Sequence, residues 1–176
     1  MAVDRDILRS LLRDIPDFPQ PGILFKDITP LLGDPAGFRA AIDAFEETWD
    51  GVAIDKVAAV EARGFFFAAP LAERLGVGLI PIRKAGKLPW KVVEHHYDLE
   101  YGTDSVQAHQ DAAEPGERVL VIDDVLATGG TAAATCALVE QLGAEVVGLG
   151  VLLELGFLDG RARLEGRDVR SVLVEP

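Results

Sequence analysis

A single cysteine, Cys136, stands among 176 residues, so no disulfide can close within the chain and a reducing compartment is expected. Long apolar runs are missing too. Nothing approaches the roughly 18 uncharged residues that a membrane helix needs, and the opening Met1-Ala2-Val3-Asp4-Arg5-Asp6 lacks the basic-then-apolar order of a signal peptide. A cytoplasmic protein with no membrane partner is expected. Positive charge is scarce: 17 Lys and Arg stand against 29 Asp and Glu, a formal net charge of −12. Such a field repels phosphate backbones over long range and argues against nucleic acid as a partner. An anionic small molecule stays open only if a local cluster of donors overrides the global charge. Of the three histidines, His95 and His96 are adjacent and point apart, and His109 lies in another segment; no Cys/His cluster has zinc spacing. No internal repeat or low-complexity tract interrupts the chain, and its length suits one domain over residues 1–176.

What is present is an alternation. Ile7, Leu8, Leu11, Leu12 and Ile15 recur at helical spacing, which predicts an amphipathic helix over residues 4–15, ended by Pro16, Pro19 and Pro21. Asp34-Pro35 reads as the N-cap and first-turn proline of a helix whose stripe is Phe38, Ile42, Phe45 and Trp49. A strand is predicted at 56–60, a helix at 65–75 closed by Gly76, and a strand at 79–82. Residues 83–102, with Gly86, Pro89 and many charges, read as a long loop or hairpin. A strand follows at 119–122, a helix at 130–142 with Gly143 just past it, and strands at 146–153 and 169–174. Apolar strands alternating with helices predict an α/β fold, a mostly parallel sheet covered on both faces. Residues 155–176 carry little chemistry and are expected to be structural.

The most informative stretch is Val119-Leu120-Val121-Ile122-Asp123-Asp124-Val125-Leu126-Ala127-Thr128-Gly129-Gly130-Thr131. It reads as a buried strand, two carboxylates at its end, and a small-residue loop opening a helix. In open α/β sheets ligands bind beyond the carboxyl ends of the strands. Backbone N–H groups of Ala127, Thr128, Gly129, Gly130 and Thr131 at a helix N-terminus form an anion pocket. The Walker spacing and its lysine are missing. Two aspartates beside a phosphate pocket make sense if the ligand is a sugar phosphate: Asp123 and Asp124 accept from the ribose hydroxyls while the loop holds the 5′-phosphate. The plainer reading of an Asp-Asp pair is turn chemistry, but that leaves the rest of the string unexplained.

This string resembles the phosphoribosyl-pyrophosphate signature of the type I phosphoribosyltransferases at every position of the usual pattern. Other segments are similar to the adenine-using members of that family, in order. Pro19-Gln20-Pro21-Gly22-Ile23-Leu24-Phe25-Lys26-Asp27-Ile28 resembles their base-binding hood, and Glu61-Ala62-Arg63-Gly64-Phe65 their pyrophosphate loop. Ile82-Arg83-Lys84-Ala85-Gly86-Lys87-Leu88-Pro89 and Tyr97-Asp98-Leu99-Glu100-Tyr101-Gly102 resemble the two ends of their mobile loop. The resemblance covers about residues 15–155. It implies the type I fold, with an N-terminal helix and small hood at about 1–33 and a mobile catalytic loop at 83–102.

The implied chemistry is transfer of the 5-phosphoribosyl group from phosphoribosyl pyrophosphate to adenine, in a homodimer. Arg63, a planar multi-dentate donor, grips pyrophosphate. Arg83, Lys84 and Lys87 supply further positive charge to the diphosphate, within one chain or across a dimer interface. Glu100 contacts the purine and assists proton movement, and its neighbour Tyr101 shares that segment. Phe25 offers a stacking face and the Leu24 backbone a donor and acceptor for the base edge; Lys26 stands where arginine is also common. Magnesium is expected, held mainly by substrate phosphates and water, without a protein-built metal site. Guanine, hypoxanthine or xanthine as the base, or a regulator that kept only the ligand pocket, are the alternatives.

Overall fold

A computed structural model describes residues 3–98 and 103–176, with the side chain of Asp98 also outside the description. Helix α1 (Arg5–Ser10) is capped by Asp4, whose carboxylate accepts from the Asp6 N–H at 3.0 Å. It is shorter than the periodicity predicts. Ile15 precedes Pro16, and a residue before proline is driven toward extended geometry. The chain therefore leaves the helix and forms β1 (Arg13–Pro16), antiparallel to β2 (Leu24–Asp27), with Ile15 opposite Phe25. Arg13 clamps this ribbon, donating to Asp27 Oδ2 from Nε at 3.0 Å and Nη2 at 2.6 Å.

The Thr29 backbone N–H, then Arg13, hold the Asp27 carboxyl at about 2, below its ordinary 3.8. A carboxyl with a depressed folded pKa adds stability above its unfolded pKa and loses it as pH falls through the folded one. Asp27→Asn is expected to flatten the fall of Tm between about pH 4 and pH 2, where the wild-type group becomes protonated. A wild-type acid slope in that variant would mean that the clamp contributes nothing.

Helix α2 (Thr29–Gly33) leads into α3 (Pro35–Thr48), where Asp34 caps as predicted, accepting from the Gly37 N–H at 2.6 Å. Then come β3 (Lys56–Val60), α4 (Gly64–Leu75), β4 (Gly78–Lys84), β5 (Val92–Asp98), β6 (Thr103–His109), β7 (Arg118–Leu126), α5 (Gly130–Gln141), β8 (Glu145–Leu155) and β9 (Val169–Glu175). Among the described residues seven strands form one sheet in the order β5-β6-β4-β3-β7-β8-β9. The pairs from β4 through β9 are parallel, whereas β6 runs antiparallel to both β4 and β5. The segment expected as a loop or hairpin thus carries β5, and β6 had no sequence prediction.

Alternation within the strands builds two cores. Val57, Ala59, Leu120 and Ile122 face Phe45, Trp49, Phe67 and Leu71 from α3, the residue after it, and α4. Ala58, Val60, Val119 and Val121 face the other way, onto Cys136, Leu138 and Val139 of α5. Burial pushes the Cys136 thiol up to about 11, so it behaves as a small hydrophobe. The sheet therefore has helices on opposite faces of neighbouring strands. The chain leaves β3 through α4 toward β4, and leaves β7 through α5 toward β8. Such a divergence opens a crevice at the carboxyl ends of β3 and β7.

Candidate active site

The crevice is a cleft of about 220 Å³ lined by residues 61–63, Lys84 and residues 123–132. The strand does not stop before the aspartates, as the sequence reading had it. β7 continues through Asp123 and Asp124 to Leu126, because Asp123 pairs with Val151 and Val125 with Leu153 of the longer β8. Asp123 Oδ1 accepts from the Asp124 N–H at 2.8 Å, and only 4 % of Asp124 is exposed. Burial and then the neighbouring Asp124 charge push the Asp123 carboxyl well above the usual carboxylate range. Burial also raises Asp124, against the pull of Arg63.

Arg63 lies at the turn between β3 and α4. Its Nε stands 2.9 Å from Asp124 Oδ2, a charge contact without hydrogen-bond alignment. Its guanidinium carbon lies 5.0 Å from the Phe25 ring centroid. The predicted pyrophosphate residue therefore also joins the hood to the aspartate pair. Gly64 permits this approach: a Cβ there would come within 2.9 Å of the Ile122 carbonyl oxygen and 3.0 Å of Asp123 Oδ1.

The Ala127–Thr131 loop wraps the start of α5, with Gly129 in the left-handed region at φ +81°. A Cβ on Gly129 would overlap the Gly160 carbonyl, and one on Gly160 would overlap the Ala127 carbonyl. The C-terminal segment, expected to be merely structural, thus backs the Ala127–Thr131 loop; the Asp159-Gly160 pair, a turn signal, is its trace in the sequence. From the other side Tyr97 of β5 seals the loop. Its hydroxyl lies 3.1 Å from Thr131 Oγ1 and accepts from Lys84 Nζ at 2.8 Å.

Lys84 also pairs with Asp104 of β6. Burial opposes its charge, but Asp104 and Tyr97 outweigh that and raise its pKa. Arg83 Nε donates to Glu61 Oε2 at 2.8 Å, and Lys87 Nζ to Glu61 Oε1. The three predicted cations are indeed brought together. They are not free charge, however: each has a carboxylate partner. Glu61 and Asp104 were missed because a carboxylate 22 or 20 residues from its cation leaves no local pattern.

Residues 32–171 match the phosphoribosyl transferase domain family. The adenine phosphoribosyltransferase of Thermobifida fusca is 59% identical over 166 residues, covering 94% of each chain. The chain belongs to the phosphoribosyl transferase family. Solved structures agree. The adenine phosphoribosyltransferase of Thermoanaerobacter pseudethanolicus superposes with a TM-score of 0.96 at 49% identity, covering 98% of this chain and 100% of that one. The Giardia lamblia enzyme, solved with 9-deazaadenine, superposes with a TM-score of 0.93 at 36% identity, covering 98% of each. The type I phosphoribosyltransferase fold expected from the resemblance is therefore the fold observed.

Within this family's fold the remaining predicted residues separate. Phe25 stays beside the cleft through Arg63, and Leu24 is 48% exposed on the hood ribbon, where its backbone pairs with Pro16. Lys26 is paired with carboxylates, as the other predicted cations are. Its ammonium is held by Asp14 at 2.8 Å and Glu175 at 3.5 Å, tying the hood to β9, so its charge stabilises the hood's seat on the sheet. Glu100 and Tyr101 lie outside the described residues. Among the described residues no three His, Cys, Asp or Glu side chains gather as a metal site, and no helix is long and apolar enough to cross a membrane.

Proposed function

We propose that this chain transfers the 5-phosphoribosyl group from phosphoribosyl pyrophosphate to adenine, giving adenosine monophosphate and pyrophosphate. The observation that carries this reading is the juxtaposition, in one cleft, of the aspartate pair, Arg63 and the Ala127–Thr131 loop. The loop binds the 5′-phosphate through backbone N–H groups and the hydroxyls of Thr128 and Thr131. Asp123 and Asp124 accept from the ribose hydroxyls. Adenine, under the hood beside Phe25, attacks the anomeric carbon as the bond to the diphosphate breaks.

Charge in the transition state is split: positive on the ribose ring, negative on the departing diphosphate. The buried aspartates face the first, and Arg63 with Arg83, Lys84 and Lys87 face the second, at positions set before reaction. Glu100 is assigned to the purine and its proton, with Tyr101 beside it. Residues 83–102 cover the cleft and exclude water from the cationic sugar.

The donor set fits magnesium that arrives on the substrate. Asp124, the nearest carboxylate to Arg63, is already in contact with that guanidinium. Magnesium suits diphosphate oxygens and water, and when bound it neutralises diphosphate charge. The protein works in the cytoplasm as a homodimer, without nucleic acid or membrane; half-exposed apolar side chains such as Phe66 and Leu79 are surface that a second copy would cover.

The test supplies phosphoribosyl pyrophosphate and magnesium with adenine, guanine, hypoxanthine or xanthine in turn. Adenosine monophosphate from adenine alone is the expected result. Turnover of another base would keep the phosphate-loop argument and overturn the hood argument. Ligand binding without product from any base would sink the enzyme reading.

A further inference from the structure

The pyrophosphate loop and the basic segment after β4 meet at one carboxylate. The side chain of Glu61 is only 11% exposed. Its Oε2 accepts from Arg83 Nε at 2.8 Å and from the Lys84 backbone N–H at 2.9 Å, and its Oε1 accepts from Lys87 Nζ. Arg83, Lys84 and Lys87 place three positive charges within five positions. Left alone, such side chains repel one another and lose rotamer freedom when held together. Lys84 has Asp104 as a second partner. Arg83 and Lys87 have Glu61 alone for an ion pair among the described residues.

Glu61 is well suited to the task. Burial would raise its carboxyl, but donation from Lys87, the Lys84 N–H and Arg83 brings it down to about 2, so it is ionised at any working pH. Arg83 is fixed a second time by the Phe65 ring, 5.9 Å from its guanidinium carbon. Among the described residues Arg83 makes its hydrogen bond through Nε, and its terminal nitrogens make none. Those terminal nitrogens form the fork that grips phosphate oxygens.

We infer that Glu61 is a positioning residue for the diphosphate subsite, holding the Arg83 and Lys87 side chains and the Lys84 backbone N–H at the end of β4 and fixing where the Arg83 and Lys87 charges stand before substrate arrives. The inference rests on the phosphoribosyl transfer proposed above. As an anion Glu61 does not bind the diphosphate; it acts through the cations. The one short turn after β3 thus sends Arg63 to the aspartate pair and Glu61 to the basic segment, which couples the two halves of the cleft.

Glu61→Gln preserves size but removes the charge and sets an amide N–H group against three donors. In the full-length enzyme with magnesium, the KM for phosphoribosyl pyrophosphate is expected to rise about tenfold, the loss expected for a charge-assisted hydrogen bond. The adenine KM should stay near wild type, and kcat should change less than the phosphoribosyl-pyrophosphate KM. Calorimetric titration with magnesium pyrophosphate should show the same weakening. Lys87→Met should weaken that binding in the wild-type background but add little to Glu61→Gln, since the two act as one unit. A folded Glu61→Gln protein with wild-type KM and pyrophosphate affinity overturns the inference. So does tighter binding, which would make Glu61 a competitor for the cations. If Glu61→Gln does not fold, Glu61→Asp, charged but too short to reach all three donors, is read by the same two outcomes. Failure of the underlying reaction would look different: the wild-type protein would make no nucleotide from any base.

Discussion

Asp124→Asn is expected to lower kcat by about 10²-fold or more, the scale seen when a charge-stabilising group is removed from a transition state, while the fold survives. The residue is 4 % exposed and burial raises its pKa, so the native carboxylate carries a desolvation cost that the isosteric amide does not. Removing one charge also relieves its repulsion with Asp123. The loss is the pairing with Arg63 at 2.9 Å. These effects oppose one another, so stability should change by no more than about 1 kcal/mol, which moves Tm by about 2–4 °C in a chain of this size. Turnover in the base assay and Tm by thermal melting decide it. Near-wild-type turnover would remove Asp124 from the mechanism, whereas a collapsed Tm would make its role structural.

Gly160→Ala is expected to damage binding of phosphoribosyl pyrophosphate from outside the cleft. Its new methyl would overlap the Ala127 carbonyl and stand 3.1 Å from Leu126 Cδ1. Backbone must shift, and overpacking of this kind costs about 1–3 kcal/mol. The segment that must shift is the phosphate loop, because Gly129, φ +81°, packs against the same turn. The KM for phosphoribosyl pyrophosphate should rise about tenfold or more, since each 1.4 kcal/mol of lost binding is tenfold, with the adenine KM little changed. An unchanged KM in a folded variant would show that the C-terminal segment only fills space behind the loop.

The legible parts of the site share one property: their information is contiguous. Strand, aspartates, small residues and helix follow one another through Thr131, and each step obeys local chemistry. Asp34-Pro35 announced its cap in the same way. The errors also have a common cause. The helix predicted over 4–15 stops at Ser10 because pairing with Leu24–Asp27 and the restriction before Pro16 outweigh an apolar period. Strand β6 escaped because Thr103–His109 is stabilised by antiparallel pairing along both its edges more than by any apolar run of its own.

The chain's local order was enough for the α/β alternation, the phosphate loop, the paired aspartates and the family resemblance, since propensity, capping and motif spacing act over a few residues. Tertiary packing alone set which cations are paired, which glycines touch, and what seals the loop. Glu61 reaches Arg83 across 22 residues and Tyr97 reaches Thr131 across 34, while Gly160 meets Gly129 from a separate element. Contacts of that span are chosen by which faces the sheet and its helices bring together, and no periodicity along the chain records that choice.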